Sequence, residues 1–211
     1  MTACTSCGAA LESSLVCEAC GALQSVDGPV DPWSAFGLVL GFAVDAAALK
    51  KRLLSLQRRM HPDFFGAAAD DVRELADRNT AELNGAHKVL ADAVRRANHL
   101  LERLGGPNEE AERQMPQAFL LEVLEWNETL EEADSAAPGS PERAALDELE
   151  RTLTDQRAEA VEHVGAMLTP LPDAGAAILT DVRKELNAVR YFDRTLRTLS
   201  ELRLEQAKST T

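Results

Sequence analysis

The chain has 211 residues, of which 45% are hydrophobic, so it is long enough to bury one or two apolar cores. Aromatic residues make up only 4%, while Ala, Leu, Glu and Arg are abundant, and this composition favours helices over sheets. The formal net charge of -13 argues against general nucleic-acid binding, and no apolar run approaches the roughly 18 residues that a membrane span needs.

Two cysteine pairs open the chain and contain its only four cysteines: Cys4, Cys7, Cys17 and Cys20. Each pair is C-x-x-C followed directly by glycine, a spacing at which two thiolates can bind one metal ion from a tight turn. Two such turns complete a tetrahedral set, which predicts one structural zinc ion in a module over residues 1–26, the cysteine module. Two disulfides or a redox C-x-x-C are the alternatives, but no signal peptide or long apolar strand precedes either pair.

Two helices are predicted after a linker at residues 25–29. Asp31 caps the first, which begins at Pro32, and Asp45 caps the second. Pro62 ends the second helix, because the residue before a proline is pushed out of the α region. The apolar residues of the second helix recur at the spacing of one helical face: Leu49, Leu53, Leu56 and Met60.

The second predicted helix is also strongly cationic. Residues 46–61 contain no acidic residue and five basic ones: Lys50, Lys51, Arg52, Arg58 and Arg59. Residues 109–159, in contrast, contain fifteen Asp or Glu and four Arg. Each stretch is therefore expected to attract a partner of the opposite sign. The cysteine module carries Glu12 and Glu18 and no basic residue, so it is not expected to bind nucleic acid.

A tripeptide, His61-Pro62-Asp63, follows the cationic helix and precedes a loop and a third helix, predicted from about Asp70 to Leu90. A fourth helix is predicted over residues 93–104 and ends at Gly105-Gly106-Pro107, the clearest domain boundary in the chain. Residues 30–104 are therefore predicted to form a helical hairpin with a short bracing helix. The tripeptide is either a simple helix stop with an Asp cap or a contact for a partner.

Three long amphipathic helices are predicted beyond this boundary, at about residues 116–133, 142–168 and 174–207. Short breaks at 136–141 and 170–172 separate them, which predicts an antiparallel three-helix bundle over residues 112–207. The overall fold class is therefore mainly α.

The first helix of the bundle holds more apolar residues than one stripe requires. One face is formed by Phe119, Val123, Trp126 and Leu130. Three further leucines point partly elsewhere, flanked by Glu125 and Glu128: Leu120, Leu121 and Leu124. They are either part of a wide core face or an exposed patch that binds a partner. The scattered histidines, His87, His99 and His163, are expected to be structural or to face solvent.

The order of elements in residues 30–104 resembles a J-domain: a short helix, a basic helix, the His61-Pro62-Asp63 loop and a third helix packed on the second. Residues 95–101, 119–126 and 182–193 resemble the HscB co-chaperones of iron–sulfur cluster biogenesis. A cysteine module also occurs in one branch of that family. J-domains usually have an aromatic residue where His87 stands, so His87 and Gly85 depart from that pattern. HscB proteins usually have a basic residue where Asn127 stands.

The HscB resemblance implies an adaptor without an active site of its own. It would bind a DnaK- or HscA-type chaperone through His61, Pro62, Asp63 and the five basic residues, stimulate its ATPase, and deliver an IscU-like scaffold. The implied scaffold contacts are Leu120, Leu121, Leu124, Glu125, Glu128 and Tyr191. The alternatives are a J-domain adaptor for another client, or a protein that senses metal or redox state through the four cysteines.

Location and assembly are predicted less directly. Cys4 follows Met1 too closely for a cleaved targeting segment, which predicts a bacterial cytoplasmic protein. A homodimer is compatible with the sequence, since the bundle could bury one face against a second copy. No membrane or nucleic-acid partner is expected.

Overall fold

The computed structural model describes residues 3–112, 114–137 and 139–209, and the chain is mainly helical, as predicted. It divides into two compact units, Met1–His99 and Leu100–Thr211. The division falls inside helix α4 (Ala93–Arg103), and the cysteine module and the helical hairpin share the first unit. The finer limits at 1–26, 30–104 and 112–207 remain predictions.

The cysteine module consists of two turns with the same local geometry. In each turn the first cysteine N–H donates to the carbonyl five residues later, at 2.8 Å for Cys4 and 2.9 Å for Cys17. The glycine after each pair, Gly8 or Gly21, has φ 76°, a left-handed conformation that favours glycine. An isolated antiparallel β-bridge flanks each turn, so the two cysteine pairs lie in equivalent backbone conformations.

Three helices complete the hairpin of the first unit: α1 (Pro32–Phe36), α2 (Ala46–Met60) and α3 (Asp70–Ala91). The predicted caps are confirmed, because Asp31 accepts from the Ser34 N–H and Asp45 from the Ala47 and Ala48 N–H groups. These bonds satisfy amide groups that have no partner inside the helix. Helix α2 ends at Met60, directly before the tripeptide.

Helices α2 and α3 run antiparallel against each other. The Gln57 amide donates to Asn84 Oδ1 at 2.9 Å, and the Thr80 hydroxyl lies 3.4 Å from the Met60 carbonyl. The space between the helices is filled by fully buried apolar side chains from all three helices: Trp33, Phe36, Leu56, Met60, Leu83 and Leu90. His87 and His99 pack against rings of this core, at centroid distances of 6.3 Å from Phe36 and 5.6 Å from Trp33. Both are structural, as predicted.

The second unit contains the predicted bundle of α5 (Gln117–Ser135), α6 (Pro141–Met167) and α7 (Ile178–Ser209). Helix α7 begins about four residues later than predicted. The residues before it form a turn in which Gly175 has φ 74° and donates its N–H to the Leu104 carbonyl at 2.8 Å. Pro138, in the predicted break before α6, and Arg113, in the acidic stretch, lie outside the described residues.

Contacts along the bundle fix its helix directions. Arg157 pairs with Asp193 and Arg203 with Glu150, so α6 and α7 run in opposite directions. Phe119 contacts Tyr191 and the Gln206 amide donates to the Ala133 carbonyl, so α5 runs parallel to α7. The predicted antiparallel three-helix bundle is confirmed. Among the described residues, no helix is both long enough and apolar enough to cross a membrane.

Candidate functional site

The four cysteines converge on one point of the first unit. Their sulfur atoms all lie within 4.8 Å of one another, and the Cys4–Cys20 and Cys7–Cys17 pairs are both 3.7 Å apart. A Zn–S bond of about 2.3 Å in a regular tetrahedron places sulfurs about 3.8 Å apart, so the spacing fits a tetrahedral metal ion. All four are free thiols, and these separations are far longer than a disulfide of about 2.05 Å. The cluster can therefore hold a metal ion.

Backbone N–H groups prepare Cys4 as a ligand. The N–H of Cys7, and less strongly that of Ser6, lowers the pKa of the Cys4 thiol to about 6, although burial opposes the change. The Gln24 side-chain amide also donates to the Cys4 sulfur, at 3.5 Å. Because a metal binds the thiolate, these bonds favour the ligating form of Cys4. The pKa of Cys20, which the Ala22 N–H lowers, is nevertheless raised to about 12 by its contact with Cys7 and by burial, so the four thiols are not equally prepared.

Glu18, inside the second cysteine turn, reaches across to the cationic helix. Its carboxylate pairs with the Arg52 guanidinium, and its backbone carbonyl accepts from Arg59 Nη1 at 3.1 Å. Arg52 also donates to the Phe36 carbonyl at 3.2 Å, and the bond from Arg52 lowers the pKa of Glu18. Arg52 and Arg59, two of the five basic residues predicted to bind a chaperone, are therefore bonded to Glu18 of the cysteine module. Arg52 is also bonded to Phe36 of α1.

The other three basic residues of α2, Lys50, Lys51 and Arg58, are exposed. They carry positive charge at the surface of the helix that leads into the tripeptide. Of the other two, only Arg52 is paired with a carboxylate, that of Glu18. Arg59 donates to a neutral carbonyl and is itself exposed, so it adds to the positive charge at the surface of α2 that can attract an acidic partner.

The tripeptide His61-Pro62-Asp63, the HPD turn, forms the corner between α2 and α3. Pro62 begins a 3₁₀ turn, Pro62–Phe65, and His61 Nδ1 accepts from the Asp63 N–H at 3.2 Å. The side chains of His61 and Asp63 are 54% and 88% exposed, and Phe64 beside them is 74% exposed. The turn therefore stops α2 and also displays an imidazole, a carboxylate and a phenyl ring to solvent.

Helix α5 has two distinct apolar faces. Trp126 and Leu130 are buried in the bundle, whereas Leu120, Leu121 and Leu124 are 41%, 54% and 58% exposed. We call these three residues the leucine patch. All three leucines are partly covered by the bundle and partly open to solvent, which favours the alternative of an exposed patch over that of a wide core face.

Polar residues lie beside the leucine patch, whereas Tyr191 contacts the other apolar face of α5. Glu125 and Glu128 are exposed on the same helix, as is Asn127. Tyr191 is half-buried on α7, and its ring stands edge-on to Phe119 at a centroid distance of 5.5 Å. Phe119 also stands edge-on to the buried Trp126, at a centroid distance of 5.6 Å, so Tyr191 contacts the face of α5 that packs into the bundle.

Two buried side-chain amides in the first unit, those of Gln24 and Asn79, were not predicted from the sequence. Gln24 and Asn79 are only 4% and 2% exposed. One signal was present, since Asn79 interrupts the buried stripe of α3 between Ala76 and Leu83 with a polar side chain. No sequence pattern around Gln24 indicates that it is buried, because its contacts depend on how the two cysteine turns fold together.

The second unit matches a family model described as "HSCB C-terminal oligomerisation domain", over residues 115–200. A co-chaperone protein HscB homolog from Cupriavidus taiwanensis is 37% identical over 147 residues, 69% of this chain and 78% of that protein. The human iron–sulfur cluster co-chaperone protein HscB is 32% identical over 161 residues, 75% of this chain but only 65% of its own length. The crystal structure of human co-chaperone protein HscB superimposes with a TM-score of 0.75 at 26% identity, covering 97% of this chain and 98% of that one.

Proposed function

We propose, from the premise that this chain belongs to the HscB family of co-chaperones, that it couples a DnaK- or HscA-type ATPase chaperone to an IscU-like iron–sulfur scaffold. The family resemblance predicted from the sequence is confirmed by these relatives, and the four-cysteine cluster fits the branch with a cysteine module. One observation carries the chaperone proposal: an exposed HPD turn at the end of a cationic helix that packs against α3.

The HPD turn supports a binding role rather than catalysis. The side chains of His61 and Asp63 extend into solvent, where a partner protein can contact both of them. Lys50, Lys51 and Arg58 provide an adjacent positive surface. This surface would steer an acidic chaperone domain onto α2, and added salt should weaken the encounter. The turn would then stimulate ATP hydrolysis by the chaperone without forming a covalent bond.

A single-turnover ATPase assay tests the chaperone proposal. The rate of ATP hydrolysis by a DnaK-type chaperone is measured with and without the full chain and its His61→Gln variant. If His61 makes a central contact worth about 2 kcal/mol, His61→Gln should lower the stimulation of ATP hydrolysis about thirtyfold. The matched control is His163→Gln, since His163 is an exposed histidine on α6. Equal stimulation by wild type and His61→Gln would overturn the proposal.

The leucine patch supports the client half of the proposal. Three exposed leucines on two turns of α5, bordered by Glu125 and Glu128, combine an apolar centre with a charged rim. Protein interfaces commonly have this arrangement, in which apolar anchors supply affinity and the rim supplies orientation. We assign the scaffold to this surface. Tyr191 is included on the family resemblance, since its ring contact is with Phe119 on the bundle side of α5.

Calorimetric titration with an IscU-like scaffold tests the client assignment. Replacing Leu120 and Leu124 with Ala should weaken binding about thirtyfold or more, equivalent to about 2 kcal/mol, while ATPase stimulation is retained. Leu204→Ala is the control, because Leu204 is a 60% exposed leucine on α7 of the same unit. If the double variant binds the scaffold as tightly as the wild type does, the assignment of the scaffold to the leucine patch is wrong.

We further propose that the cluster holds one Zn²⁺ through Cys4, Cys7, Cys17 and Cys20. Four thiolates with no spare position form a closed set, which suits a structural ion. Zinc would supply a redox-inactive cross-link between the two turns, whose side chains alone are too few to bury a core. Metal analysis with a visible absorption spectrum tests this. A coloured, iron-containing protein would favour the alternative of an iron or redox centre.

Three broader expectations accompany the adaptor proposal. The chain acts without an active site of its own, in keeping with relatives that are named co-chaperones. A bacterial cytoplasmic location is supported by the match to a Cupriavidus taiwanensis protein. A homodimer stays a prediction, to be tested by light scattering over a range of protein concentrations.

A further inference from the structure

Asn79 on α3 connects the helical hairpin to both flanks of the second cysteine turn. Its Nδ2 donates to the Leu15 carbonyl at 2.8 Å and to the Gln24 carbonyl at 2.9 Å. Leu15 lies two residues before Cys17 and Gln24 lies four residues after Cys20. One buried amide group on a helix therefore holds together the two ends of the segment that carries half of the thiols.

Gln24 extends this connection to the first cysteine turn. Its backbone N–H donates to the Leu15 carbonyl at 2.9 Å, while its side chain turns toward the other pair. Gln24 Oε1 accepts from the Thr5 N–H at 3.2 Å, and Gln24 Nε2 donates to the Cys4 sulfur at 3.5 Å. A continuous series of hydrogen bonds therefore runs from α3 through Asn79 and Gln24 to a metal-binding sulfur.

We propose that Asn79 is a positioning residue of the metal centre, so that zinc affinity and the folding of the α2–α3 hairpin are coupled. This inference rests on the zinc occupancy proposed above. Asn79 does not touch the metal ligands; it acts by fixing Leu15 and Gln24, and Gln24 in turn orients Cys4. Groups that orient metal ligands from outside the coordination sphere commonly change affinity by roughly 10–100-fold when removed.

Burial gives this coupling its strength. Asn79 and Gln24 are almost fully removed from water, so their lost hydrogen bonds cannot be replaced by solvent without local opening. Thermodynamic linkage makes the effect reciprocal: by the factor that formation of the Asn79 hydrogen bonds raises zinc affinity, bound zinc favours formation of those bonds to Leu15 and Gln24. The cysteine module would therefore report the metal state to the helices that carry the HPD turn.

Zinc release from the full chain tests the proposal. Zinc content is first measured, and the transfer of zinc to a chromogenic chelator of known affinity is then followed for wild type and Asn79→Ala. The rate of transfer measures zinc release, and the equilibrium reached gives the dissociation constant. We expect the variant to bind zinc roughly 10–100-fold more weakly. We also expect the melting temperature of its first unit to depend less on added zinc than that of the wild type.

Two control variants separate positioning from general destabilisation. Asn84→Ala removes an exposed asparagine of the same helix, whose partner is Gln57, and should leave zinc release unchanged. Leu90→Ala creates a cavity about 16 Å further along α3, at 1.5 Å per residue, and should lower the melting temperature without speeding zinc release below it.

A further variant keeps the test decisive if Asn79→Ala does not fold. Gln24→Met preserves side-chain length and the backbone carbonyl that Asn79 contacts, but removes the bonds to Thr5 and Cys4. It should also release zinc faster. Equal zinc affinity in wild type and the folded variants, with one zinc bound per chain, would overturn this inference alone. A wild-type chain without bound zinc would overturn the occupancy proposal and this inference with it.

Discussion

The two units of the chain are stabilised in different ways. In the first unit, the cysteine module is joined to its helices by buried polar side chains, among them Ser13, Gln24 and Asn79. In the second unit, the bundle is stabilised by a continuous apolar interior that includes Leu146, Leu153 and Leu186. The difference follows from size, because two short turns cannot bury enough apolar surface to fold alone, whereas three long amphipathic helices can.

The surfaces of the two units differ as well. The first exposes an HPD turn beside the exposed basic residues of α2, while the second exposes the leucine patch among acidic residues. A partner attracted to one surface would not be complementary to the other. This contrast supports an adaptor that binds two unlike proteins through separate units, and it can be tested unit by unit.

Metal removal should give the largest difference between the units. A metal present at about a thousand times its dissociation constant stabilises a folded protein by about 4 kcal/mol. For a unit of about 100 residues, its removal should lower the melting temperature by about 15 °C or more. Calorimetry of the full chain with and without a chelator should therefore show one transition that shifts and one that does not. A common shift of both transitions would contradict independent stabilisation.

A pair of leucine substitutions should distinguish the core of the bundle from its binding surface. Leu153 is fully buried on α6, so Leu153→Ala should lower the free energy of unfolding by about 2–5 kcal/mol. Leu124 is 58% exposed, so Leu124→Ala should change it by less than about 0.5 kcal/mol. Urea unfolding of both variants measures the difference. A large loss at Leu124 would mean that the patch is structural.

Comparing one ion pair from each unit should give the smallest of the three differences, with the stronger coupling between Glu18 and Arg52. Both side chains are 23% exposed, and a double-mutant cycle with Gln at each position should yield a coupling of about 1 kcal/mol that decreases with salt. The comparable bundle pair, Arg157 with Asp193, is 35% and 39% exposed and should yield about 0.5 kcal/mol or less. Equal coupling energies in the two pairs would contradict the conclusion that polar contacts contribute more to the first unit than to the second.

Local signals in the sequence were sufficient for much of the fold. The caps at Asp31 and Asp45, the stop at Pro62 and the apolar periodicity of the long helices act within a few residues of the chain, and the helices formed nearly where they were predicted. The start of α7 was missed because Gly175 is held in a turn by the distant carbonyl of Leu104. That contact has no counterpart in local periodicity.

By itself, the sequence determined the elements and their chemistry: a cysteine set suited to metal, an HPD turn after a cationic helix, and a helix with surplus leucines. Only the tertiary structure decided which side chains remain available. It showed that Glu18 engages Arg52 and Arg59, that the leucine patch is exposed, and that Asn79 joins segments 55 and 64 residues away. The physical reason is that burial and pairing depend on partners remote in sequence, whereas helix starts, stops and ligand spacing depend on near neighbours.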